Sequence, residues 1–194
     1  MTDSRRDLPP RTADAPVGEV LYDVVSSPIG RLLIACDGEA ITGVYMEHHR
    51  DGLPVDPGWR PVDPAVCPVV GDARAQLAAY FAGERTAFDL PLAIRGTPFN
   101  LRVWAELRGI PYGETASYAD VARRLGRPGA ARAVGAANAR NPIPIIVPCH
   151  RVVGADGSLT GFGGGIERKR WLLAHEARVG GSPLFPTQLP GGAA

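Results

Sequence analysis

Residues 117–151 read SYADVARRLGRPGAARAVGAANARNPIPIIVPCHR. Two helical patterns meet here across a short break, and a proline-rich segment follows. Ser117, with Asp120 three residues on, has the form of a capping box at a helix start. Val121, Ala122 and Leu125 give that helix one apolar face, and Gly126 ends it. Arg127-Pro128-Gly129 makes a tight turn, and a second helix is predicted from Ala130 to Asn138. Helix, short turn, helix is the pattern that lays its second helix in a DNA groove in some proteins and is a plain packing corner in others. Arg132, Gly135, Ala136 and Arg140 share one side of the second helix. A flat face with two cations suits close approach to phosphates, and a small-residue face equally suits packing on another helix.

Downstream, Pro142, Pro144 and Pro148 keep the chain out of helix and ladder. They predict an extended, rigid rod through Ile145, Ile146 and Val147 that ends at Cys149. A rigid mount suits a nucleophile, because positional precision is worth rate. His150 and Arg151 follow at once, and a nearby base or cation lowers a thiol pKa. A buried structural cysteine is the alternative, and polar neighbours argue against it. In an extended chain the side chains of 149 and 150 point to opposite sides, so thiol and imidazole would meet through a water. Glu176 shares an apolar helix face with Leu172 and Leu173 in ERKRWLLAHEARV (167–179). A carboxylate there needs a partner or a shifted pKa. His150 is the attractive partner, and a solvated rim is the other reading. The stretch GADGSLTGFGGG (154–165) holds six glycines and no phosphate-loop lysine. It is either a pocket wall where backbone nears a flat ligand or a flexible connector.

Upstream the pattern is strand-like: EVLYDVV (19–25), RLLIAC (31–36) and AITGVYM (40–46), with Asp37-Gly38-Glu39 as a hairpin signal. This predicts a three-strand antiparallel meander. Residues 47–64 read as a loop, Ala65 to Phe81 as a helix stopped by Gly83, and Phe88 to Ile94 as a fourth strand or an extended linker. A further helix begins at Thr97-Pro98, an N-cap followed by proline at the first helical position. The fold class expected is α+β. A loose arm covers 1–18, a small sheet-plus-helix domain 19–95, a mainly helical domain 96–178, and a loose tail 179–194.

Of the 194 residues, 45% are hydrophobic and 21% charged, which excludes global disorder. Apolar runs are too short to cross a bilayer, and MTDSRRDLPP has no apolar core of a secretory signal. Cys36, Cys67 and Cys149 are an odd number, far apart in sequence, with no CxxC pair, so neither a disulfide framework nor a zinc site is expected. These features predict a reduced, cytoplasmic protein with no membrane partner. Residues 1–96 hold nine arginines against fourteen carboxylates, a balance of −5, whereas 97–176 hold eleven basic against six acidic residues, a balance of +5. Lys169 is the only lysine. The basic half is the candidate polyanion surface.

The runs NPIPIIVPCHRVVGADGSLTGFGGG and ERKRWLLAHE, with IPYGETASYADVARRLGRPGAARAVGAANARNP before them, closely resemble the O6-alkylguanine-DNA alkyltransferases. PCHR is that family's active-site signature. The resemblance covers roughly 19–177, most strongly from 97. It implies direct, stoichiometric and irreversible transfer of an alkyl group from O6-alkylguanine, and from O4-alkylthymine, in double-stranded DNA to Cys149. No cofactor is needed, and the acting species is a monomer. His150 and Glu176 look like the water-bridged relay that takes the thiol proton. Asn141 looks like the hinge that tightens it, and Tyr118 like the donor to guanine N3. Arg132 looks like the finger that enters the duplex, with Ala131, Gly135, Ala136, Ser117 and Arg140 beside it on DNA. Val152, the loop Phe162, Gly163 and Gly164, and Pro144 look like the base pocket. The N-terminal domain is expected to do no chemistry. Phe162 replaces a tyrosine, and Gly163 a serine or alanine, found in many members. Some members bind zinc near the N-terminus, but Cys36, Cys67, His48 and His49 lack the spacing of a compact site. The alternative reading is a helix-turn-helix regulator whose Cys149 senses alkylation or redox state; a cysteine hydrolase comes third.

The charge asymmetry gives a testable outcome. If about four arginines pair with phosphates, affinity for duplex DNA should fall on the order of 10² between roughly 50 and 200 mM salt. Anisotropy titrations across that range measure the slope, and salt-insensitive binding would contradict it.

Overall fold

The computed structural model describes residues 19–47 and 52–181. The arm predicted over 1–18 and the tail from 182 onward lie outside them. The fold is α+β. Strands β1 (Leu21–Val25), β2 (Leu32–Cys36) and β3 (Ile41–Met46) form the antiparallel meander expected from the apolar runs and the Asp37-Gly38 hairpin signal. The hairpin between β2 and β3 turns on Asp37, whose Oδ1 accepts from the amides of Glu39 and Ala40 at 3.1 and 2.9 Å. Gly38 takes φ +93°, open to glycine and strained for most residues.

The fourth strand is not 88–94. It is β4, Arg60–Pro61, inside the stretch read as a loop, and it runs parallel to β1 in a sheet ordered β3-β2-β1-β4. Only an edge strand tolerates Pro61, which has no amide to give. Arg60 and Val62 flank it and donate to the carbonyls of Val20 and Tyr22, both at 2.9 Å. Residues 88–94 act as a linker along the free edge of β3. Ile41 donates to Pro91, Ala93 donates to Ile41, and Val44 donates to Pro142, at 2.8, 2.9 and 2.9 Å. The edge that could pair with another chain is thus closed by this one.

Helix α1 (Pro68–Ala82) starts with proline in its first turn and ends at Gly83, which is left-handed at φ +80°. It packs Val70, Ala73, Leu77 and Tyr80 onto the sheet side. Helix α2 (Pro98–Leu107) is capped by Thr97, whose hydroxyl accepts from Asn100 at 3.2 Å. The two-residue strand β5 (Ala116–Ser117) leads into α3 (Tyr118–Arg124), where the predicted capping box of Ser117 and Asp120 is present in both directions. After a turn through Gly126, α4 (Ala131–Ala139) buries Val134, Ala137 and Asn138. Trp104 of α2 donates its indole N–H to the Ala137 carbonyl at 2.9 Å and fixes α4 against the body. Strand β6 (Val152–Val153) pairs with β5, and α5 (Ile166–Gly180) closes the chain, running two residues into the predicted tail.

The two halves share one apolar core. A single cluster of buried side chains runs from Leu32, Ile34 and Leu77 through Val103 and Leu107 to Ile143, Val147 and Leu172. Polar contacts add to it: Arg168 of α5 donates to the carbonyls of Ile29 and Glu47, both at 2.7 Å. None of the described helices is long and apolar enough to cross a membrane.

Candidate active site

Cys149 begins a short 3-10 turn, Cys149–Arg151, and not the end of an extended rod. The proline-rich segment before it is folded back on itself. Val147 donates to the Ile143 carbonyl at 2.9 Å and Cys149 to the Val147 carbonyl at 2.8 Å. Asn141 clamps this fold from within: its Nδ2 donates to Val147 at 2.8 Å and its Oδ1 accepts from Ile143 at 3.0 Å. Ile145 lies at φ +76°, a costly conformation for a β-branched residue. The prolines forbid helix and strand, but the shape comes from the asparagine clamp. Asn138, on the buried face of α4, holds the Cys149 carbonyl at 3.2 Å.

Polar neighbours suggested an accessible, acidified thiol. The opposite holds. Cys149 is 3% exposed, His150 0% and Arg151 6%. Burial pushes the Cys149 thiol up to about 11, with Asn141 and the charge of Lys169 opposing the rise only in part. The resting group is a thiol.

His150 and Glu176 do meet, Nε2 to Oε1 at 2.8 Å, with neither side chain exposed. Burial works to raise the Glu176 pKa. The hydrogen bond from His150, then the hydrogen bonds and charge of Arg151, outweigh it and hold the carboxyl far below its ordinary range. Arg151 binds it twice, Nε to Oε2 at 2.8 Å and Nη2 to Oε1 at 2.9 Å, while Nη1 donates to the Ile110 carbonyl at 2.7 Å. Two further donors had no signal in the sequence: the Tyr80 hydroxyl of α1 at 2.8 Å and the Gly113 amide at 3.1 Å. Burial holds the His150 pKa below its ordinary value, so the ring is neutral. An ionised carboxylate only accepts, so Nε2 carries the ring proton and Nδ1 is bare. That Nδ1 is buried and has no hydrogen-bond partner on the protein.

Cys149 lines a cleft of about 130 Å³ with Asn138, Asn141, Pro144, Phe162, Gly163 and Gly164. Its remaining wall includes Val44, Tyr45 and Met46 of β3, so the N-terminal half contributes to the site. Val152, expected in the pocket, is not in this lining; its carbonyl accepts from Lys169 Nζ at 2.5 Å. Lys169 also donates to Thr160 at 2.6 Å. Its burial holds the ammonium down to about 8, with the neighbouring Cys149 working the other way. Lys169 lies at i−3, i−4 and i−7 from Leu172, Leu173 and Glu176, a spacing that places it on the buried face. The Tyr118 hydroxyl donates to the same Thr160 carbonyl at 2.9 Å. Gly135 sits under the Tyr118 ring, where a Cβ would be in ordinary contact at 3.7 Å.

On α4, Arg132 and Ala136 are exposed, as is Arg140 at its C-cap, while Ala131 and Gly135 are half-buried. The Ser117 hydroxyl is engaged by its cap, donating to Asp120 Oδ2 at 2.7 Å. Cys36 and Cys67, distant in sequence, lie in contact with their sulfurs 3.6 Å apart. Among the described residues no group of three or more His, Cys, Asp or Glu could hold a metal ion. His48 and His49 lie outside those residues.

The arrangement is that of an α+β protein that sets a buried cysteine and a histidine–carboxylate pair directly behind a helix-turn-helix. The chain matches the profile described as "6-O-methylguanine DNA methyltransferase, ribonuclease-like domain" over residues 20–94 and the one described as "6-O-methylguanine DNA methyltransferase, DNA binding domain" over residues 98–178, and it belongs to that family. It is 54% identical over 155 residues to the methylated-DNA–protein-cysteine methyltransferase of Mycobacterium tuberculosis, covering 80% of this chain and 91% of that protein. The protein of that name from Salmonella typhimurium is 45% identical over 166 residues, covering 81% and 95%. A crystal structure of Mycobacterium tuberculosis OGT in complex with DNA superposes with a TM-score of 0.75 at 52% identity, covering 82% of this chain and 94% of that one.

Both shifts in the buried pair act in one direction on stability. Glu176 ordinarily titrates near 4.5 and His150 near 6.5, and both are held lower in the fold. The unfolded chain therefore binds more protons as pH falls. Stability in urea should begin to drop below about pH 6.5 and drop further below about 4.5. Glu176→Gln should shrink the lower limb, leaving the smaller part due to other carboxylates such as Glu47, Asp120 and Asp156. A flat profile between pH 7 and 4 would contradict the assignment.

Proposed function

We propose that this chain repairs alkylated DNA by moving the alkyl group from O6-alkylguanine onto Cys149, acting once as a monomer. The observation that carries the reading is the Cys149 thiol in its small cleft beside the neutral, carboxylate-backed His150. The sulfur attacks the alkyl carbon as the carbon–O6 bond breaks. The thiol proton passes to His150 Nδ1 through a water, and Glu176, held ionised, stabilises the imidazolium that forms. Guanine leaves with the bonding pair on O6 and is reprotonated. The products are a thioether and an unmodified guanine.

Because the resting group is a thiol, the transfer requires that its proton be given up to His150. The Tyr118 hydroxyl, given to Thr160 at rest, turns to guanine N3 as the leaving anion forms. The target carbon lies inside a duplex, so the nucleotide must rotate out at a cost of a few kcal/mol. Arg132, exposed at the start of α4, fills the gap it leaves, and the flat surface of Gly135 and Ala136 admits the minor groove. Arg140 pairs with phosphate.

Incubation with a duplex carrying O6-methylguanine should add one methyl mass per chain, mapped to Cys149, and Cys149→Ser should bind the duplex and gain none. An adduct on Cys36 or Cys67, or turnover beyond one equivalent, would reject the reading. Arg132→Ala should slow transfer from duplex DNA by at least about tenfold, equivalent to some 1.4 kcal/mol. It should leave the reaction with free O6-benzylguanine unchanged. Equal losses on both substrates would place Arg132 in the fold instead of in extrusion.

A further inference from the structure

The cleft around Cys149 has a volume of about 130 Å³. Ordinary small-molecule pockets run roughly 300–1,000 Å³, so a base with its methyl carbon at the sulfur leaves little space over. In an in-line displacement the sulfur, the reacting carbon and O6 lie on one line. Anything bonded to that carbon beyond hydrogen must project sideways, into the walls.

Most of those walls are fixed. The Asn138 and Asn141 amides are tied to the carbonyls of Cys149 and Val147 at 3.2 and 2.8 Å. Pro144 is a rigid ring, and Gly163 offers only backbone. Tyr45 also lines the cleft, but its ring rests on Trp59 with centroids 5.5 Å apart. Met46 differs. It is the last residue of β3 and crosses from the N-terminal sheet to the glycine-rich loop, where a Cβ on Gly164 would collide with its sulfur and with the Phe162 ring. An unbranched thioether adapts to irregular gaps, and this one is 6% exposed. The strand that carries it is pinned to the active-site segment by the bond from Val44 to Pro142 at 2.9 Å.

We infer that Met46 is a specificity-determining residue that sets the size of alkyl group the cleft accepts. The half of the chain with no nucleophile thereby chooses among lesions. This rests on the alkyl-transfer reading above.

The test compares two duplexes that differ only in carrying O6-methylguanine or O6-benzylguanine. Each rate is normalised to the titrated fraction of active protein, so that a partly unfolded variant leaves the ratio unaffected. Met46→Ala should raise the benzyl-to-methyl rate ratio by at least about tenfold, the low end of what one methylene-sized change in an apolar pocket is worth. Met46→Phe should lower the ratio, and Met46→Leu should hold it near that of the unsubstituted chain. An unchanged ratio in Met46→Ala overturns the inference. Failure of the unsubstituted chain to take up methyl at Cys149 would instead overturn the alkyl-transfer reading.

Discussion

Five donors converge on the Glu176 carboxylate: His150 Nε2, two nitrogens of Arg151, the Tyr80 hydroxyl and the Gly113 amide. Taking a carboxylate out of water costs several kcal/mol, and only close, well-aimed donors recover it. Here they come from α1, from the loop before β5, and from the turn that carries Cys149. The charge cannot be satisfied unless all three are in register. One buried ion therefore fixes the N-terminal helix, the C-terminal helix and the nucleophile relative to each other. Losing Arg151 would leave the carboxylate without its ion-pair partner at 0% exposure, so the pull toward assembly is steep.

The same arrangement spends Arg151 on the carboxylate and leaves Lys169 to acidify the thiol only in part. Arg151 follows Cys149 by two residues, yet its guanidinium is committed to Glu176 and to the Ile110 carbonyl. Lys169 is committed to the carbonyls of Val152 and Thr160. The thiol is left with burial as the dominant influence, and its pKa rises to about 11. On the alkyl-transfer reading, the bare Nδ1 of His150 is the acceptor proposed for the thiol proton.

Local patterns were readable wherever a short stretch decides its own conformation. The capping box at Ser117, the hairpin at Asp37-Gly38 and the left-handed stop at Gly83 all follow from neighbouring residues, and all are present. The His150–Glu176 contact was inferable because an apolar helix face must find a partner for a carboxylate. Long-range partners were not. Nothing in the sequence points Tyr80 at Glu176 across 96 positions, or sets β3 beside the cysteine cleft. Two misses did carry a signal. Lys169 shares a helix face with buried Leu172 and Leu173, and Asn138 with buried Val134 four residues before it, and a buried polar group on such a face has to be bonded to something. Strand β4 was hidden in the stretch read as a loop because Pro61 reads as loop, although one edge of a sheet has no need of its amide, and 88–94 took the linker form of its two readings.

The segment before Cys149 shows how rigidity is built. Three prolines in seven residues suggest stiffness by restricted φ, which would give an extended rod and a nucleophile held at arm's length. The chain instead makes a compact turn, with Ile145 forced to φ +76° and the Asn141 amide bonded to both ends of the bend. A strained β-branched residue persists only where the surroundings over-determine it. Here they do: Ile143, Ile145 and Val147 are all buried in the shared core, and Asn138 holds the Cys149 carbonyl from the helix behind. The core and the clamp together oppose the strain. The sulfur is therefore located by the packing of the whole molecule, and α4, which carries Arg132 on its outer side and Asn138 on its inner side, joins that location to the surface proposed to face DNA.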